Sequence, residues 1–447
     1  MRITVIGTGH VGLVVGLSFA EIGHEVGCHD TDHRKIALLN EGRTPFYEPH
    51  LDLLLERNRP TGRIKFFAEL EPHVNDAEVI FLCLGTPPLP GGEADLSSVE
   101  TVSRRLASSS TSYKLIVEKS TVPVLTGDRI HRTMQIYGHS VPFDVVSNPE
   151  FLSEGTAVED FLHPQRTVIG VESARAETLL RQLYAPVLEQ SFDCPIHQPC
   201  AWKGRRTALV VTNRNSAEVI KHASNSFLAT KISFINAVSN LCERVGADVD
   251  QVAEGMGLDS RIGRTFLRAG VGFGGFCFPK DLQAFIHIAE RNGYDFRLLR
   301  EVERVNQDQM ENFIRRLKHE VWVLKGKRIA AWGLAFKPGT DDVRFSPAVA
   351  IIQRLLAEGA QVTAYDPKAM DEARAELPDI GYAASAEQAV EGADALVIFT
   401  DWPQFREVDL DRVRDSMARP MVIDGRNMFS PVEMRRRGFE YLSVGRP

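Results

Sequence analysis

Residues 2–30 read RITVIGTGHVGLVVGLSFAEIGHEVGCHD. An apolar run at residues 3–6, a glycine-rich turn, a helical stretch and a second strand ending at Asp30 predict a βαβ unit. Gly7, Gly9, His10, Val11 and Gly12 fall within GTGHVG, a GxGxxG pattern that says little on its own. Here a strand precedes it, a helix follows, and an acid closes the next strand about 20 residues on, which is the context a dinucleotide fingerprint requires. The glycines let the backbone approach a pyrophosphate, whose charge is stabilised at a helix N-terminus. Asp30 would accept hydrogen bonds from the ribose hydroxyls of NAD. A carboxylate there repels a 2′-phosphate, so NAD is favoured over NADP, with Arg34 and Lys35 moderating the preference.

Working outward, EVIFLCL (78–84), KLIVE (114–118) and FDVVS (143–147) read as buried strands separated by helix-like stretches. A doubly wound parallel sheet running to about residue 200 is the economical arrangement. Residues 216–245 form one long helical pattern, apolar around most of its circumference, which predicts a helix buried between other layers and joining the domains. KRIAAWGLAF (327–336), AQVTAYD (360–366), DALVIFT (394–400) and PMVID (420–424) then repeat the strand spacing. The expected fold class is α/β, with two Rossmann-like doubly wound domains joined by the long helix and a helical middle region. The expected divisions are 1–200, 214–320 (dimerisation and the cysteine loop) and 321–447.

Composition excludes several classes. The chain of 447 residues is 43% hydrophobic and 25% charged, ordinary for a globular protein, and its net charge of −7 argues against a nucleic-acid or anionic-membrane partner. Six scattered cysteines, with no leader or membrane-length apolar run, predict a cytoplasmic protein with reduced thiols.

Residues 270–281, GVGFGGFCFPKD, set four glycines ahead of Cys277. Pro279 suits the first position of a helix, which would leave Cys277 just outside an N-terminus, where the helix dipole favours a thiolate. The glycines would then form a flexible wall able to wrap a substrate. Asp281, about one turn further, could act as a base or position a water. Lys221 and Asn225, spaced i,i+4 on the long helix, share one face and could stabilise an oxyanion.

GFGGFCFPKD, with GTGHVG, STVP (120–123), SNPEFLSEG (147–155), SAEVIKHASNSFLATKISFIN (216–236) and FKPGTDDVR (336–344), resembles the UDP-glucose 6-dehydrogenase family over nearly the whole chain. The resemblance implies a four-electron oxidation of a primary alcohol to a carboxylate, with UDP-glucose as substrate and two NAD consumed in turn. GDP-mannose 6-dehydrogenases share nearly all of this chemistry. Cys277 would carry thiohemiacetal and thioester intermediates, with Asp281, Lys221, Asn225 and Thr121 assisting. Glu150 and Glu154 would lie at the active site, one suited to water activation and the other to cofactor or sugar. Asn148-Pro149-Glu150 by itself reads as a helix start.

The resemblance also places Lys35, Thr86, Thr121, Glu154, Lys280 and Arg344 on the cofactor. Glu150, Phe151, Leu152, Lys221, Asn225, Phe273 and Gly274 would meet the sugar, and Lys337, Arg426 and Arg261 the diphosphate. Arg261 would reach across a homodimer interface.

Two stretches depart from the pattern. Phe276 stands where many members carry serine. Residues 190–214, QSFDCPIHQPCAWKGRRTALVVTNR, are longer than the expected strand and turn. Cys194, His197 and Cys200 there could begin a zinc site, but without an evident fourth ligand the reading is a surface insertion and no metal.

Overall fold

The computed structural model describes residues 1–138 and 141–447. The chain divides into two compact units, Met1–Ser224 with Gln283–Ile288, and Asn225–Leu282 with Ala289–Pro447.

Among the described residues the first unit is built on eight strands: β1 (Arg2–Ile6), β2 (Glu25–His29), β3 (Ile64–Phe67), β4 (Val79–Leu82), β5 (Lys114–Glu118), β6 (Phe143–Ser147), β7 (Arg166–Gly170) and β8 (Ala208–Thr212). Their order across the sheet is β3-β2-β1-β4-β5-β6-β7-β8. Every residue of β4 and β5 is buried, because helices cover both faces of a parallel sheet. That burial is why these strands read as continuous apolar runs.

The expectation of a wholly parallel sheet is corrected at one junction, where β7 meets β6 antiparallel through Ser147 and Gly170. β8 then runs parallel to β7, so part of the presumed insertion is an edge strand. Three of its five residues are exposed and none is fully buried, which deprived it of a buried-strand signature.

The second unit holds β9 (Arg328–Trp332), β10 (Gln361–Tyr365), β11 (Gly381–Tyr382), β12 (Ala395–Ile398), β13 (Met421–Asp424) and β14 (Glu440–Ser443). They lie in the order β11-β10-β9-β12-β13-β14, all parallel, repeating the order of the first six strands of the other sheet. The acid after β10, Asp366, is fully buried and accepts from Leu334 N (2.7 Å), Ala335 N (3.1 Å) and Trp402 Nε1 (3.1 Å). It ties off the turn after β9.

The helix Arg214–Val245 begins in the first unit and continues in the second. It is not covered all round, as its apolar circumference predicted. Phe227, Phe234, Leu241 and Val245 stand 65%, 51%, 59% and 66% exposed. The first three recur every seven residues and so form one stripe.

Candidate active site

In the first unit the glycine turn links β1 to the helix His10–Glu21. A Cβ on Gly12 would stand 1.8 Å from Gly7 O, so only glycine lets the helix start this close to the strand, whereas at Gly9 a Cβ would meet nothing within 4 Å. The open space beside Gly9, ahead of a helix N-terminus with no side-chain cap and no acid in its first turn, suits a pyrophosphate. His10 stacks on Phe46, with centroids 3.9 Å apart, and Val11 is half-buried beside it.

Asp30 Oδ2 accepts from Thr8 N and Thr8 Oγ1, both at 2.8 Å, and Oδ1 accepts from Asp32 N at 2.9 Å. Burial alone would raise this carboxyl, but those hydrogen bonds and the nearby Lys35 charge outweigh it and hold it below the usual carboxylate range. Asp30 thus stays charged and braces the glycine turn.

At the C-terminal ends of β4 and β5, Thr86 Oγ1 donates to Thr121 O at 2.9 Å. Thr121, Ser120, Glu118, Ser147, Glu218 and Lys221 line one small cavity. Glu218 accepts from Leu125 N (2.7 Å) and Gly127 N (2.8 Å), pinning the long helix to the start of the helix Thr126–Tyr137. Burial pushes Glu218 up to about 7 and Glu118 up to about 8, and pulls Lys119 down to about 8.

The segment after β6 corrects the expected helix start at Asn148. The Asn148 side chain is buried, accepting from Tyr184 OH (2.6 Å) and Lys119 Nζ (3.2 Å) and donating to Val168 O (2.7 Å). A side chain committed to the core cannot cap, and the next helix begins only at Ala157. Glu48 closes the intervening turn by accepting from Gly155 N (2.7 Å) and Ala157 N (2.8 Å). Glu154 sits half-buried in that turn and Leu152 just before it.

Glu150 and Lys221 are brought together as a buried ion pair, Nζ to Oε1 2.8 Å, while Glu150 Oε2 accepts from Leu152 N at 2.5 Å. Phe151 lies under the Arg166 guanidinium at 3.9 Å and near Lys221 Nζ at 5.5 Å.

In the second unit the helix begins at Cys277 itself, so Pro279 is its third residue rather than its first. Proline fits there because the N–H groups of the first turn have no intrahelical acceptor to lose. Cys277 is exposed at the helix start. One turn on, Asp281 is 1% exposed and accepts from Asn225 Nδ2 (2.6 Å) and Lys280 Nζ (2.5 Å). Phe276 lies under Arg344 at 4.4 Å and near Lys280 Nζ at 5.6 Å, and Arg344 forks onto Asp342 at 2.9 and 2.7 Å.

The glycines before Cys277 are not the flexible wall expected of them. Residues 269–275 are buried, and each end of the loop is held. Gly270 N donates to Asn236 Oδ1 (2.9 Å), Gly270 O accepts from Gln309 Nε2 (2.8 Å), and Phe273 exchanges two bonds with Asn306 (2.8 and 3.0 Å). A Cβ on Gly274 would meet Phe345 O at 2.2 Å, and one on Gly275 the Phe336 ring at 2.7 Å. Their role is close approach, so the thiol stands on a rigid platform.

The three cations expected at the diphosphate part company. Arg426 turns its fork onto Phe399 O (2.6 Å), Phe336 O (2.9 Å) and Gly272 O (3.4 Å), and burial lowers its pKa. Lys337 Nζ lies 5.5 Å from the Phe336 ring centre. Arg261 is 87% exposed and held by Asp259 at 2.6 Å.

Models of the UDP-glucose/GDP-mannose dehydrogenase family match three stretches: the NAD binding domain at residues 1–188, the central domain at 215–308 and the UDP binding domain at 330–431. The chain belongs to this family. UDP-glucose 6-dehydrogenase TuaD of Bacillus subtilis (strain 168) is 45% identical, the match covering 100% of this chain and 93% of that one. UDP-glucose 6-dehydrogenase of Rhizobium meliloti (strain 1021) is 43% identical over 100% of both. A UDP-glucose dehydrogenase structure from Pyrobaculum islandicum superposes with a TM-score of 0.89 at 37% identity, covering 100% of this chain and 98% of that one.

As an NAD-binding member of the dehydrogenase family, the chain uses residues that its motifs did not reveal. Thr8 and Asp32 share Asp30; Asn306, Asn236 and Gln309 hold the glycine loop. Asn306 and Gln309 come from the helix Arg297–Val321, outside every motif, whereas Thr8 lies inside the fingerprint and Asn236 closes the 216–236 stretch.

Proposed function

We propose that this dehydrogenase oxidises C6 of UDP-glucose to the carboxylate of UDP-glucuronate, consuming two NAD per sugar. The observation that carries the proposal is Cys277, exposed at the first position of a helix whose next turn holds a buried Asp281 oriented by Asn225 and Lys280. Full-length identity of 43–45% to enzymes named UDP-glucose 6-dehydrogenase supports the substrate. The names of these relatives favour it over GDP-mannose, the second reading.

Gly7, Gly9, His10, Val11, Gly12 and Asp30 would hold NAD, with Lys35, Thr86, Thr121, Glu154, Lys280 and Arg344 as further contacts. NAD supplies the electron acceptor for each of the two oxidations. Asp281, through a water, takes the proton of the C6 hydroxyl as the aldehyde forms. The Cys277 sulfur then bonds to the aldehyde carbon and the former carbonyl oxygen takes up a proton, giving a thiohemiacetal. After the second oxidation the carbon is held as a thioester. Water adds to it, the C–S bond breaks, and carboxylate and thiol are released. Lys221, paired with Glu150, and Asn225, one turn along the same helix, stabilise the oxyanions. Thr121 and one of Glu150 and Glu154 position the hydrolytic water. Phe151, Leu152, Phe273 and Gly274 are assigned to the sugar, and Lys337 and Arg426 to the diphosphate.

The exposed Phe227, Phe234 and Leu241 stripe supports a two-fold homodimer through the long helix, in which Arg261 serves the partner's substrate. Among the described residues no helix is long and apolar enough to cross a membrane, and six free cysteines support a cytoplasmic setting.

The test is stoichiometry. NADH formed per UDP-glucose consumed should be two, against one for a simple alcohol dehydrogenase, and GDP-mannose should give far slower turnover. Preferential oxidation of GDP-mannose would replace the substrate, and a ratio of one would remove the covalent route.

A further inference from the structure

The segment 191–207, between the helix Ala174–Glu189 and β8, forms no helix or strand. A loop this long without regular structure needs another source of order. It carries Cys194, His197 and Cys200, and the fold brings His163, from the end of the helix Ala157–Leu162, to the same place. This is the ligand that sequence reading found wanting. Its donor lies more than thirty positions upstream, with no spacing to mark it.

We propose that His163, Cys194, His197 and Cys200 form a structural zinc site. Their four donor atoms all lie within 4.8 Å of one another. His163 Nε2 is 3.2 Å from Cys194 Sγ and 3.9 Å from Cys200 Sγ, and Cys194 Sγ is 3.7 Å from His197 Nδ1. Zn–S bonds of about 2.3 Å and Zn–N bonds of about 2.0–2.1 Å in a tetrahedron give donor separations of roughly 3.6 Å for S···N, so these edges close around one ion.

The surroundings are arranged as a zinc site requires. Gln190 donates through Nε2 to Leu162 O (2.8 Å) and Val187 O (2.7 Å), which fixes its Oε1 as the atom 2.6 Å from His163 Nδ1. An acceptor at Nδ1 places the proton there and leaves the Nε2 lone pair facing the two sulfurs, the tautomer that ligation needs. His197 turns its other nitrogen to Glu159 Oε1 at 3.5 Å, and His197 N donates to Cys194 Sγ at 3.3 Å. Phe192 and Trp202 stack near His163, with centroids 5.7 and 5.8 Å away.

Four protein donors leave no position for water or substrate, so the site is structural rather than catalytic. Binding forms two Zn–S and two Zn–N bonds and releases the two thiol protons. The ion would staple the stretch following the Glu150–Glu154 turn to the stretch leading into β8 and the helix that bears Lys221.

The test uses the full chain, without an affinity tag, from zinc-supplemented culture. Elemental analysis by mass spectrometry should find one zinc per chain, and Cys194→Ser with Cys200→Ser should reduce it to background. Cobalt added to metal-stripped protein should give the thiolate-to-cobalt charge-transfer band and intense visible bands of a tetrahedral site. Chelation should speed tryptic cleavage at Lys203, Arg205 and Arg206, which are exposed in the loop. Folded wild-type protein that holds no zinc and shows no charge-transfer band would overturn the proposal, as would an intact mass two daltons low from a Cys194–Cys200 disulfide. If the double variant does not fold, the wild-type metal content and cobalt spectrum decide alone.

Discussion

Asn225 donates its Nδ2 hydrogen to Asp281 Oδ2 at 2.6 Å, with both side chains buried. The bond ties the long helix to the second turn of the helix that begins at Cys277. Asn225→Ala should therefore misdirect the carboxylate, lowering kcat by up to about 100-fold with little change in KM for NAD. Steady-state kinetics with both substrates, alongside a thermal melt, check this; unchanged kcat would show that Lys280 alone sets the carboxylate.

Cys277→Ala should bind NAD and UDP-glucose yet release no uronate, because nothing traps the aldehyde. Cys277→Ser should accumulate an ester-like adduct, since an alkoxide leaves less readily than a thiolate. Mass spectrometry of product and protein separates the two. A normal yield of acid from the alanine variant would sink the covalent mechanism.

Asp30→Ala removes an acceptor used by Thr8, Asp32 and, in the proposed complex, the ribose. A hydrogen bond to a charged group contributes about 1.5–3 kcal/mol, so NAD should bind roughly ten- to a hundredfold more weakly, with UDP-glucose affinity little altered. Calorimetric titration of both ligands measures the contrast. Equal weakening of the two would mean that loss of the Thr8 brace had spread through the fold.

Glu118 is buried with its Oε2 unpartnered, and burial pushes its pKa up to about 8. The unfolded value is about 4.3, so the folded state binds the proton more tightly. That stabilising contribution is complete below the unfolded value, declines as pH rises, and is lost on passing the folded value. Glu118→Gln should flatten the fall in melting temperature between about pH 5 and 8. A wild-type slope in the variant would assign the effect to another group, with Glu218, raised to about 7, the next to test.

The exposed stripe on the long helix should be covered in solution. Phe234→Glu should shift sedimentation toward a monomer. Mixing Arg261→Ala with Cys277→Ala subunits should restore some activity, because one site of the heterodimer would hold an intact cysteine and receive the partner's arginine. Confirmed heterodimers without recovered activity would remove the shared site.

Reading the sequence alone determined what is local or periodic. GTGHVG followed by an acid after β2, the apolar runs of β4, β5, β9 and β12, and Cys277 ahead of Pro-Lys-Asp are legible because short-range backbone geometry and continuous burial write themselves into neighbouring residues. Tertiary structure alone decided what depends on distant partners. It turned β7 antiparallel to β6 and drew Asn148 from a cap into the core. It paired Glu150 with Lys221 and packed the cysteine loop's glycines against Phe345 and Phe336. It also carried His163 to Cys194, His197 and Cys200. In each case the partner is specified by a crossover of the chain, and side chains brought together that way bear no fixed spacing for a sequence to display.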